Sequence, residues 1–140
     1  MTTQAKDGMK LISPHGGTLV NGYAQKEQMD ALREEARSLL RVVINPRQLS
    51  DAHMIVQGAF SPLNGFMGHE DYNAVVKDMH LANGEIWPLP VTLAVDSHQA
   101  PGLKEGKQVA LVQEGGEIAG VISLDGKFRR EKEDEAQAVY

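Results

Sequence analysis

Between residues 25 and 40 the apolar side chains Met29, Leu32, Ala36, Leu39 and Leu40 recur at helical spacing, with Glu, Arg and Lys between them. This pattern predicts an amphipathic helix. The period then changes. Arg41-Val42-Val43-Ile44 reads as a short β-branched strand, stopped at Asn45-Pro46 because the residue before a proline is pushed out of the helical region. Ser50 or Asp51 is expected to cap a second short helix that runs to about Gln57, where Gly58 ends it. A third helix is expected over residues 70–79, with Tyr72, Val75, Val76 and Met79 as its apolar stripe.

The second half alternates instead. Over residues 87–95, Leu89, Val91, Leu93 and Val95 fall on one face, the period of a half-buried strand. Pro88 and Pro90 remove N–H groups from one edge, so this strand should begin at a sheet margin or bulge. The runs 108–112 and 118–124 flank Gly115-Gly116, a pair suited to a primed hairpin turn. From Lys127 a mixed-charge stretch leads to Ala136, Val139 and Tyr140 at helical spacing, which predicts the start of a connecting helix. At the other end, residues 1–10 read as a flexible lead, and residues 11–17 as extended chain running into a tight glycine turn.

One segment breaks the rule that loops are polar. Residues 58–67 place Phe60, Leu63, Phe66 and Met67 among Pro62, Asn64 and Gly65, so the backbone should bend there, with Asn64-Gly65 supplying positive φ. Its apolar side chains need a dry place. The segment is expected to be a plug inside the domain or a surface offered to a neighbouring domain or subunit.

The 140 residues suit one domain with a core of its own, and the absence of cysteine excludes disulfides, thiolate catalysis and cysteine-ligated metals. With no secretion signal or bilayer-spanning run in the sequence, a soluble cytoplasmic protein without a membrane partner is expected. The formal net charge of −5 makes nucleic acid an unlikely partner. No phosphate-cradling loop, dinucleotide fingerprint, zinc-binding His-Glu-x-x-His or nucleophile elbow occurs. The histidines at 15, 53, 69, 80 and 98 are too scattered to suggest a ligand cluster, and His15-Gly16-Gly17 reads as a glycine turn. Asp51 and Asp71 are assigned to helix capping, residues 45–48 to a turn, and Trp87 to a core or interface anchor.

Taken in order, Pro14-His15-Gly16-Gly17, Leu49-Ser50-Asp51, the string 58–67, Leu81-Ala82-Asn83-Gly84 and Trp87-Pro88-Leu89-Pro90 resemble the N-terminal region of the ATP sulfurylase (sulfate adenylyltransferase) family. The resemblance runs from about Leu11 to Tyr140. It implies an α+β, PUA-like mixed β pseudo-barrel with several short helices, mainly in the first half, occupying residues 11–128. Residues 129–140 would begin a helix connecting to an absent catalytic domain. The family joins sulfate to the α-phosphate of ATP, releasing pyrophosphate, with magnesium accompanying the nucleotide. Its Gln-x-Arg-Asn string and histidine-rich pair do not occur here, so no catalytic, cofactor-binding or metal residue is carried over and the chain alone is expected to be inactive. The positions expected to be structural or interdomain are Phe60, Pro62, Leu63, Gly65, Phe66, Met67, Trp87 and Pro88. The expected partners are the missing catalytic domain and further copies in a homo-oligomeric parent enzyme. The alternative reading is a free-standing PUA-like RNA-binding module.

Overall fold

The computed structural model describes residues 12–129 and Ala136. The expected flexible lead and nearly all of the expected connecting helix lie outside the described residues. Among the described residues, three α-helices and a three-stranded mixed sheet make the fold α+β, as expected, with the sheet open rather than closed into a barrel.

The first helix, α1 (Met29–Ser38), is preceded by a 3-10 turn over Lys26–Gln28. Strand β1 (Leu40–Ile44) follows at once and pairs in parallel with β2 (Gln108–Gln113), which pairs antiparallel with β3 (Ile118–Ser123). Alternation along the strands divides the apolar residues between two faces. On one face Ala110 and Val112 are covered by Ala36 of α1. On the other, Val42, Ile44, Val109, Leu111 and Leu103 form a second cluster, joined by Leu49, Leu93 and Val95.

The second helix, α2 (Pro46–Val56), begins earlier than expected. Asn45 is its N-cap: its side chain accepts from the Gln48 N–H at 2.8 Å, while Gln48 Oε1 accepts from the Asn45 N–H at 3.0 Å. This reciprocal capping box, with Pro46 at the first helical position, replaces the turn expected at 45–48 and takes the capping role from Ser50 and Asp51. Proline there ends the strand and starts the helix in one step. The third helix, α3 (His69–Asp78), matches its expected span and buries Tyr72 and Val75. Asp71 does not cap it. Instead its Oδ1 accepts from the Ala82 N–H at 2.9 Å, tying the following loop back to the helix.

Residues 87–95 form no strand and bend at Leu89, which corrects the expectation from alternation. Of the expected inner face Val91 is buried and Leu93 and Val95 are half-buried, but Leu89 is exposed, and the backbone finds other partners. The Val91 carbonyl accepts from the Met67 N–H at 2.8 Å, and the Ala94 carbonyl accepts from Gln48 Nε2 at 2.9 Å. With two N–H groups lost to proline, side-chain and loop partners replace a ladder. The hairpin is present but its turn is not a primed one. Among the described residues of this turn only Gly116 has positive φ, at 91°, and Gln113 accepts from the Gly116 N–H and donates to the Glu117 carbonyl, both at 2.8 Å. A three-residue loop of this kind puts its glycine at the last position rather than using both central ones.

The third cluster, Ile55, Leu63, Met67, Val75, Leu81 and Val91, gathers α2, α3 and the bent segment. Phe66 packs against both this cluster and the one beneath the sheet, so the bent segment is a plug that joins them. Phe128 stacks on His69 with ring centroids 4.9 Å apart and leans on Tyr72 at 5.0 Å, bringing the chain after β3 back onto α3.

Candidate functional site

The bend at 58–67 is made differently from the sequence expectation. Neither Asn64 nor Gly65 has positive φ. The turning is done at Gly58, with φ of 88°, and at a cis Ser61-Pro62 peptide. Ser61 is buried, and its Oγ accepts from the Val20 N–H at 2.9 Å while donating to the Gly58 carbonyl at 2.7 Å. This holds the 14–22 segment against the bend. Leu63 and Met67 point into the core, whereas Phe60 and Phe66 are half-buried at its margin, and Gly65 borders open space.

Phe60 and the half-buried Trp87 meet edge to face at 5.7 Å between centroids. Together with Pro88, Leu89, Pro90, Val91 and Ile86 they line an apolar cleft of about 370 Å³, with His15, Arg47 and Asp51 as its polar groups. The cleft is rigidly framed. The Trp87 N–H donates to the Met79 carbonyl at 2.8 Å, and His15 Nε2 donates to the Ile86 carbonyl at 2.7 Å, which assigns the proton to that nitrogen. Ile86 is 64% exposed and Leu89 49% exposed, a large apolar surface for neighbouring loop residues.

Arg47 and Asp51 lie four residues apart on α2 and so share a helix face. Burial raises the Asp51 carboxyl above the ordinary carboxylate range, and the Arg47 guanidinium pulls it partly back. His15, Arg47, Asp51, Ile86 and Leu89 were not picked out as site residues from the sequence. The Arg47/Asp51 pair becomes visible once Asn45-Pro46 is read as a helix start. Among the described residues no three His, Asp or Glu side chains come together to hold a metal ion. The cleft presents an apolar floor with His15, Arg47 and Asp51 as a polar rim. Of the positions expected from the sequence, Phe60, Trp87 and Pro88 meet at this cleft, while Leu63, Phe66 and Met67 pack inward behind it and Pro62 belongs to the bend.

A family model described as a PUA-like domain matches residues 12–140. The "Sulfate adenylyltransferase" of Synechococcus sp. (strain JA-3-3Ab) is 50% identical over 129 residues, covering 92% of this chain and 33% of that protein. The "Sulfate adenylyltransferase" of Desulforamulus reducens is 43% identical over 133 residues, covering 94% of this chain and 34% of that protein. Among solved structures, "Hexameric APS kinase from Thiobacillus denitrificans" superposes with a TM-score of 0.75 at 33% identity, covering 87% of this chain and 24% of that one. The chain thus spans about a third of the length of the sulfate adenylyltransferases it matches.

Proposed function

Because this chain belongs to the PUA-like domain family, and its relatives of known name are far longer, we propose that it is the N-terminal PUA-like domain of a sulfate adenylyltransferase. The observation that carries this is the 50% identity to such an enzyme over 129 residues that make up only 33% of it. In this reading the parent enzyme joins sulfate to ATP, and ATP and magnesium are bound by the rest of the polypeptide. No step of the transfer is assigned to this chain.

Its own task is structural. The Phe60/Trp87 cleft docks the neighbouring catalytic portion of the parent, with Ile86 and Leu89 covered on assembly and Arg47 and Asp51 at the polar rim. An apolar core with a charged rim is the make-up of such contacts. The same make-up favours a protein partner over RNA, whose phosphates call for a basic stripe rather than an apolar floor.

The test is complementation. A Synechococcus relative cut back by the region this chain matches is assayed for sulfate-dependent pyrophosphate release with and without the chain added. Restored turnover and direct association are expected. Association that survives Trp87→Ala and Leu89→Ser together would remove the cleft from the proposal, and turnover by the 140-residue chain alone would overturn the division of labour.

A further inference from the structure

A second cleft, of about 460 Å³, lies on the α1 side of the sheet and is lined by Arg33, Arg37, Arg41, Gly116, Glu117 and Ile118. Arg33 and Arg37 are one turn apart on α1, about 6 Å along the axis, and therefore share a helix face. Arg41 reaches the same place from β1. Its register partner is Ala110, which packs under α1, so Arg41 stands on the sheet face that α1 covers. Three guanidinium groups from two elements are thus gathered around one opening, facing the turn between β2 and β3.

Their existing partners are weak. Arg37 meets Glu34 at 3.0 Å and Arg33 meets Asp30 at 3.9 Å, both on the exposed surface of one helix, where water screens such pairs and leaves them little net strength. Arg41 has no ion pair or hydrogen bond among the described residues. Gly116 contributes no side chain to the wall, and among the described residues Glu117 is the single acid lining the cleft. Guanidinium forks match the oxygens of phosphate groups two at a time. Three guanidinium groups carry more positive charge than one orthophosphate ion neutralises, whereas a condensed phosphate presents several anionic groups in a row.

We propose that this cleft binds an extended oxyanion of the condensed-phosphate class, bridging Arg37 and Arg41, with Arg33 completing the site and Glu117 limiting its affinity. This stands apart from the sulfate adenylyltransferase reading. It is tested on the intact 140-residue chain by following backbone amide shifts during titration with sodium tripolyphosphate at low ionic strength. Inorganic phosphate, sodium chloride at matched ionic strength and an oligo-aspartate peptide serve as parallel arms. Saturable shifts around Arg33, Arg37, Arg41 and Gly116 are expected with tripolyphosphate, and weaker ones with phosphate. Arg41→Ala should weaken binding about tenfold, the loss of one charge-assisted partner. Glu117→Gln should tighten it about threefold by removing a nearby like charge, an effect that misfolding cannot imitate. Shifts reproduced by sodium chloride would overturn the proposal, as would binding indifferent to either substitution. Saturation by the oligo-aspartate peptide without tripolyphosphate binding would overturn it in favour of an acidic protein segment.

Discussion

At the scale of single residues, Asn45, Asp51 and Phe66 show how local chemistry decides what a side chain does. Asn45→Ala removes one half of the capping box, and a loss of about 1 kcal/mol in chemical denaturation is expected. Asp51 carries a sign that can be worked out. Its carboxyl is raised in the folded state, chiefly by burial, so the ionised form costs stability that the protonated form does not. That penalty is absent below the ordinary Asp range, grows as pH rises through the folded value, and is constant above it. Asp51→Asn should therefore be more stable than the parent chain at neutral pH and converge on it in acid, as read by melting temperatures across pH; an advantage that grows on acidification would refute this. Phe66→Ala is expected to cost about 3 kcal/mol, the low end for a large core deletion because the ring is half-buried, although it serves two clusters. An unchanged denaturation midpoint would show that the ring matters only against a partner.

At the scale of elements, α1, β1, α3 and both strands of the hairpin form where the sequence periodicity places them, although of the α1 stripe Met29 and Leu32 stay exposed and Leu40 passes to β1, and Met79 is an exposed left-handed cap after α3. Three features were hidden because tertiary partners outweigh local pattern. Residues 88–95 alternate like a strand, yet their backbone is tied by Gln48 and Met67, neither of which alternation reveals. The capping box at 45–48 was masked by reading proline only as a strand breaker, although proline is equally a helix starter. The bend at 58–67 looked as if Asn64-Gly65 made it, whereas Gly58 carries the positive φ. Gly58 and Gly116 can be told apart by substitution. A side chain at Gly116 meets open space, so Gly116→Ala should cost about 1–2 kcal/mol from the left-handed backbone alone. A Cβ at Gly58 would stand 2.5 Å from the Val20 carbonyl oxygen, so Gly58→Ala should be the more damaging of the two when both are melted side by side.

At the scale of the molecule, the motifs at residues 14–17, 58–67 and 87–90 carry a resemblance that implies a PUA-like domain, the family whose model matches residues 12–140, whereas the cleft is visible only in the fold. Phe60 and Trp87 lie far apart in sequence, and only the packing of the bend on α2 and α3 brings their rings together. No helix among the described residues is long and apolar enough to cross a membrane.

The parallel pairing of β1 with β2 also sets an order of events during synthesis. Leu40 pairs with Val109, so the first strand has no ladder partner until the helices and the bend between them have been made. By contrast, β2 and β3 meet across a short turn and can zip together as soon as both emerge. Closing so long a loop is slow because chain entropy is lost before any contact compensates. The nascent chain must therefore carry β1 as an open edge, and the exposed Arg41 on it is the sort of charge that keeps such an edge from recruiting a stranger.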